Sequence, residues 1–218
     1  MIYDLNFSDG RTMKAGTLFC VASNYSKHAK EMGTAIPTEP SIFIKPPQAI
    51  IPDGGTILLL AMSEYVHQEV EVVLVIGKEC INVSAEEAVK YIAGYAVGID
   101  VTMRDVQAKA KAEGKPWAIA KGFVTSAPLS QVIPVEQFTS IPDFNLELEV
   151  NGVMKQKGRT SEMERSPAML IEYLSKVFTL YPGDCIFTGT PEGVGKINSG
   201  DNITARLNGF AWLNVKAI

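Results

Sequence analysis

The chain has 218 residues, 46% of them apolar, and a formal charge of −4. A chain of this length should bury roughly 70% of its unfolded surface, so it can build a core without disulfide or metal staples. The mild acidity and the lack of any basic cluster argue against nucleic acid as a partner.

From the N-terminus, residues 1–16 carry early acids and no apolar h-region, and they read as a short lead-in rather than a secretion signal. Short apolar runs bounded by Gly, Pro, Asn and Asp predict strands at 17–22, 42–45, 57–61, 69–76, 92–101, 146–150, 184–188, 203–207 and 211–215. Asn151-Gly152 and Asn208-Gly209 read as hairpin turns. A short helix is predicted over 25–32, ended by Gly33. The capping box Ser84…Glu87 predicts another, running to about Tyr91. A third covers 103–112 and is ended by Gly114 and Pro116. The best-patterned helix starts at 161–164 or at Ser166-Pro167, with Leu170, Ile171, Leu174 and Val177 on one face.

The stretch 108–130 has weak periodicity and reads as a mobile or functional loop. Strands and helices do not alternate regularly, so a Rossmann sheet is disfavoured. A β-rich mixed α/β fold is expected instead, a rolled or barrel-like mixed sheet with peripheral short helices in one domain over 1–218. The longest apolar runs, 57–62 and 72–76, are strand-sized, and no membrane span is expected. Cys20, Cys80 and Cys185 match no zinc pattern and read as free thiols of a cytoplasmic protein.

Five constellations could carry chemistry. His28 and Glu31 sit one helical turn apart; a carboxylate beside an imidazole orients it as a base, although an exposed helix pair is the plainer reading. In the strand His67-Gln-Glu-Val-Glu71, alternation points Glu69 and Glu71 to one side, roughly 7 Å apart. Two carboxylates at the mouth of a core repel unless a cation lies between them, and hard divalent ions prefer such oxygens. A solvated strand edge would show the same two acids. Asp100 ends an apolar run and is either a rim ligand or a helix cap. Arg104 and Gln107 share a helix face that could hold a carboxylate, or could be solvated. Lys121 lies between small and aromatic residues, where a lysine usually snorkels to the surface. The loop Thr188-Gly-Thr-Pro-Glu-Gly-Val-Gly195 could turn N–H groups to an anion, or simply join two strands.

The order of these segments is more specific than any one of them. SNYSKHAKEMG, FIKP, HQEVEVVLVIG, GYAVGIDVTMRDVQ, KGFVTSAPL and TGTPEGVG together resemble the fumarylacetoacetate hydrolase family, in particular its small single-domain branch of acylpyruvases and oxaloacetate decarboxylases. The resemblance implies a mixed β-sandwich roll and a homodimer. It implies Glu69, Glu71 and Asp100 as ligands of Mg²⁺ or Mn²⁺, with His28 and Glu31 as a water-activating pair and Lys121 as a catalytic lysine. Arg104, Gln107 and Thr190 match substrate-contacting positions, and Tyr25 is placed with them.

The implied activity is hydrolytic carbon–carbon cleavage of an acylpyruvate or related 2,4-dioxo acid. Oxaloacetate decarboxylation, isomerisation of a hydroxy-diene-dioate and non-catalytic binding of metal or 2-oxo acid are the alternatives. Three positions depart from the family pattern: Val124 stands where Asp is usual, Ser23 where Arg is common, and Glu164-Arg165 in place of an apolar pair.

Overall fold

A computed structural model describes residues 3–218. Its strands are β1 (Leu18–Ala22), β2 (Ser41–Lys45), β3 (Val70–Ile76), β4 (Ile92–Ile99), β5 (Ile133–Pro134), β6 (Asn145–Val150), β7 (Val153–Arg159), β8 (Cys185–Phe187), β9 (Asn202–Leu207) and β10 (Ala211–Ala217), with shorter pairings between them. The α-helices are α1 (Ser26–Glu31), α2 (Arg104–Ala112), α3 (Ala118–Lys121) and α4 (Pro167–Val177).

The central sheet has the order β5-β4-β3-β8-β1-β2, and every pairing is antiparallel except that of β8 with β1. A second sheet runs β7-β6-β9-β10 and ends on the short strand Thr56–Ile57. Every residue of β3 is buried. Val70, Val72, Leu74 and Ile76 share a core with Leu146, Leu148, Ile203, Leu207 and Leu213 of the second sheet. Val73 and Val75 face a smaller core on the opposite side, with Leu18, Cys20, Phe187, Leu129 and, from the N-terminal hairpin, Leu5 and Phe7. This two-sided burial explains the continuous apolar run of β3: a strand covered on both faces needs no alternation. Glu71 lies on the second face, at the end where the smaller core opens. The fold is thus the expected β-rich mixed roll with short peripheral helices, and all three cysteines are free and buried. No helix among the described residues is long and apolar enough to cross a membrane.

Four local expectations are corrected. Residues 84–91 form a turn followed by a 3-10 helix, Ala88–Tyr91, with Glu87 N–H bonded to the Ser84 backbone carbonyl (3.1 Å) rather than to its side chain. So short a segment cannot offset helix nucleation before the sheet takes over at Tyr91 O, which accepts from Gly77 N (2.7 Å). The strand expected at 57–61 is only Thr56–Ile57, because β10 pairs with it through Lys216 and Ala217 alone. Val177 is 59% exposed, since the last turn of α4 leaves the core. The stretch 108–130 is built rather than loose: it contains α3 and buries Phe123, Ala127 and Leu129.

The helix α4 starts at Ser166, whose side chain caps Met169 N, with Pro167 in the first turn. At Asn151-Gly152 both residues have positive φ (52° and 74°), as a two-residue hairpin turn requires.

Candidate active site

Strand β3 begins immediately after a break at Glu69, which follows the short strand Val66–Gln68. Asp100 leaves the end of the neighbouring strand β4, and its N–H bonds to Glu69 O (2.8 Å). This pairing brings the three carboxylates together at one rim. Each of Glu69, Glu71 and Asp100 offers an oxygen within 4.8 Å of the others, and all three are buried. Asp100 is therefore not the cap of α2; that position is Met103.

Lys121, at the end of α3, is buried and does not snorkel. Its ammonium donates to Glu69 Oε2 (2.9 Å), Asp100 Oδ2 (2.5 Å) and Thr102 Oγ1 (2.6 Å). Burial alone would lower its pKa, but Asp100 and Glu69 overcome that and hold it above the usual lysine value. The mirror effect acts on Glu69. Burial opposes its ionisation, yet Lys121 and Arg104 hold its pKa well below the carboxylate range. Glu71 is the exception. It receives one strong donor, Gly189 N–H (2.7 Å), and burial followed by the charges of Asp100 and Glu69 pushes its pKa well up.

These facts test the fit of a metal. Lys45 Nζ lies 2.8 Å from Asp100 Oδ1, but its protons go to the carbonyls of Val101 (3.1 Å), Ser126 (2.8 Å) and Lys121. Asp100 Oδ1 is left buried with no hydrogen-bond donor. Glu71, buried and without an ion pair among the described residues, and an Asp100 oxygen that lies beside Lys45 but receives none of its protons suit a hard divalent cation, and Mg²⁺ or Mn²⁺ fits this all-oxygen set.

One pocket joins the three carboxylates to His28, Arg104, Gln107, Lys121 and Thr190. His28 is held by Glu31, Nδ1 to Oε2 at 3.1 Å. Arg104 donates to Gln107 Oε1 (2.7 Å) and to Glu69 Oε1. The glycine-rich loop does turn N–H groups to anions, but the anions are the protein's own: Gly189 N–H serves Glu71, and Gly193 N–H serves Glu31 (3.1 Å). Gly189 and Gly193 have φ of +96° and +94°, and a side chain at either would strike Asn24 or the Lys155 carbonyl.

Tyr25 does not join this pocket. It is the buried N-cap of α1 and lines a separate small cleft with Lys27, Glu162 and Glu192, although burial and then the Glu71 charge push its pKa up.

Four residues outside the predicted site set surround it, of which the sequence marked only His67, as a supporting or structural residue. Lys45 ties Asp100, Lys121 and Ser126 together. Gln156 accepts from Val70 N (3.0 Å) and donates to Thr190 Oγ1 (2.8 Å). Asn24, fully buried, donates to Thr188 O (2.8 Å) and Arg165 O (3.0 Å) and accepts from Arg165 N (2.9 Å). His67 approaches Arg104 (3.5 Å), and burial, then the Arg104 charge, lowers its pKa.

The three departures also find places. Ser23 lines the pocket with φ of 57°. Val124 is exposed. Arg165 docks the start of α4 by donating to Thr38 O (2.9 Å).

The chain matches the family model for the fumarylacetoacetate (FAA) hydrolase C-terminal region over residues 17–216. It is 46% identical over 202 residues to the mitochondrial oxaloacetate tautomerase FAHD1 of Arabidopsis thaliana, covering 92% of this chain and 91% of that one. It is 46% identical over 193 residues to the oxaloacetate tautomerase YcgM of Escherichia coli, covering 88% of each. The crystal structure of fumarylpyruvate hydrolase from Pseudomonas aeruginosa in complex with Mn²⁺ and pyruvate superposes with a TM-score of 0.96 at 34% identity, over 100% of this chain and 96% of that one. With the acidic cluster, the buried lysine and the glycine-rich loop arranged as described, the chain belongs to the fumarylacetoacetate hydrolase family of enzymes.

Proposed function

We propose that the chain interconverts the keto and enol forms of a short 2-oxo diacid, with oxaloacetate as the substrate. The observation that carries this reading is the pocket itself. It joins three buried carboxylates, one buried ammonium bonded to two of them, and an imidazole oriented by a carboxylate. The 46% identity to oxaloacetate tautomerases of a plant and a bacterium supports the substrate.

The reaction moves one proton between C3 and the carbonyl oxygen and breaks no carbon–carbon bond. Glu69, Glu71 and Asp100 would hold Mg²⁺ or Mn²⁺; such a cation supplies Lewis-acid polarisation and a fixed orientation for the 2-oxo acid end. His28, with Nδ1 tied to Glu31, keeps Nε2 to take the C3 proton and return it. Lys121 presents preorganised positive charge to the oxygen as it becomes enolate, while the proton that His28 took from C3 reaches that oxygen through solvent. Arg104 and Gln107 orient the substrate carboxylate, and Thr190, held by Gln156, closes the opposite side.

A second reading is hydrolytic cleavage of an acylpyruvate. The close match to a fumarylpyruvate hydrolase structure that contains pyruvate supports it. In that case His28 would activate water, and the same Lys121 would stabilise the departing pyruvate enolate.

The test uses chelator-stripped protein, with the ultraviolet enol absorbance followed before and after Mg²⁺ or Mn²⁺ is added. Accelerated loss of the oxaloacetate enol only with the cation, without loss of total oxaloacetate, supports tautomerisation. Cation-dependent loss of acetylpyruvate with release of acetate and pyruvate would favour the second reading. No acceleration of either with either cation would reject both.

A further inference from the structure

The pocket has two ends suited to an anion. One is the carboxylate cluster with Lys121 and Arg104, where a bound divalent cation would supply the net positive charge. The other is Lys111, which lines the same pocket and which neither the metal chemistry nor the proton transfer uses. Arg104, Gln107 and Lys111 follow one another along α2 at i, i+3 and i+7, so they share a helix face. Seven residues advance about 10 Å along the axis, and a helical side chain leans back toward its own N-terminus. Lys111 therefore reaches over the pocket from the turn beyond Arg104.

What separates the two ends is aromatic. Lys121 Nζ lies 4.7 Å from the Phe43 ring. The Phe43 ring lies 6.0 Å from the Trp117 ring, and Lys111 Nζ lies 4.8 Å from that indole. The pocket wall thus runs ammonium, ring, ring, ammonium. An apolar wall between two cations matches a molecule with an anionic group at each end and a carbon chain between them.

The charges are also differently committed. Arg104 is already bonded to Glu69 and Gln107. Lys111, among the described residues, has no ion-pair partner within 4.0 Å and is held only against the Trp117 face. Partial burial, then the neighbouring charges of Arg104 and Lys121, lower its pKa, with Glu69 acting the other way.

We propose that Lys111 is the specificity-determining residue of this pocket and binds the distal carboxylate of a 2-oxo diacid, with its chain laid along Phe43 and Trp117. The proposal rests on the reading above that the carboxylate cluster receives the 2-oxo acid end. It adds the reason a diacid is chosen over a monoacid of the same length.

The test is equilibrium binding to the Mg²⁺-loaded protein, which requires no turnover. The probes are 2-oxoglutarate and 2-oxopentanoate, of equal carbon number, in which a terminal carboxylate is exchanged for a methyl. Wild-type protein is expected to prefer the diacid by about tenfold, the scale of one charge-assisted hydrogen bond in a half-solvated setting. Lys111→Met should erase that preference by weakening the diacid alone, and Lys111→Arg should restore most of it. Lys111 is exposed enough for both variants to fold, and circular dichroism checks that they do. A diacid preference that survives Lys111→Met, or no preference in wild-type protein, overturns the proposal. Failure of both probes and of oxaloacetate to bind would instead overturn the assignment of the pocket to 2-oxo acids, and binding of oxaloacetate alone would overturn the proposal.

Discussion

Two buried lysines touch the same aspartate at its two different oxygens, and they do different work. Lys45, at the end of β2, is entirely buried and spends its protons on the backbone carbonyls of Val101, Lys121 and Ser126. Lys121 spends its protons on side chains, Glu69, Asp100 and Thr102, and faces the pocket. A cation bonded to main-chain carbonyls fixes where the chain goes. A cation bonded to carboxylates in an open pocket can exchange partners, because an incoming oxyanion or metal competes for the same groups. Burial and charge are alike at the two positions, so it is the nature of the acceptors that separates scaffold from chemistry.

The sharpest way to break this comparison is to remove each ammonium in turn. Lys45→Met leaves three carbonyls and the Asp100 oxygen without a cation, and breaking a buried pair typically costs about 3–5 kcal/mol. Urea unfolding should show that loss whether or not a divalent cation is present. A loss below about 1 kcal/mol would mean that Lys45 is not the scaffold cation described here.

Lys121→Met should destabilise the metal-free protein, because it leaves Glu69 and Asp100 buried without their ammonium, but Mn²⁺ should restore most of that loss, and turnover should slow by about 10²–10³-fold, the scale of one preorganised oxyanion partner. It should also tighten Mn²⁺ binding, read by calorimetry or electron paramagnetic resonance, because the ammonium no longer competes for Glu69 and Asp100. Weaker Mn²⁺ binding in this variant would show that Lys121 supports the carboxylate geometry instead of opposing the metal.

His28→Ala sits one step lower. It removes a proton carrier and neither charge of the cluster, so Mn²⁺ affinity should hold while tautomerisation falls by about 10²-fold. Oxaloacetate decarboxylation, which needs enolate stabilisation and no base at C3, should change by only a few-fold. An equal loss of both rates would show that His28 does not act through proton transfer alone.

The same contrast explains what could be read in the sequence. Spacing made Glu69 with Glu71 and His28 with Glu31 candidates only, since each pair alone reads more plainly as solvated; the order of the segments and the family resemblance singled them out. Asp100 was ambiguous, because a strand-end acid before a helix is equally a cap. Only its bond to Glu69 O across the strand break shows otherwise.

Lys45 was invisible: a lysine in an Ile-Lys-Pro strand end ordinarily reaches solvent, and its acceptors lie far off in sequence. For the same reason 108–130 looked like a loop. Its order comes from Lys45 gripping the carbonyls of Lys121 and Ser126, which leaves no local periodicity to detect. Strand β7 left almost none either, since only Gln156 and Gly158 are buried along it.

The smallest effect sharpens the comparison further, because each lysine also has an aromatic neighbour. The Phe43 ring lies 4.7 Å from Lys121 Nζ, and the Phe123 ring lies 6.0 Å from Lys45 Nζ. A cation over a ring gains about 0.5–2 kcal/mol, and the gain fades near 6 Å. Phe43→Leu should therefore cut turnover several-fold with little change in stability, since the ammonium it steadies is the one that meets substrate. Phe123→Leu should do the reverse: lose core packing, show it in urea unfolding, and leave the rate of the folded protein within about twofold. If both substitutions moved rate and stability together, the two lysines would belong to one coupled network, and the division between a cation that holds the chain and a cation that serves the reaction would have to be given up.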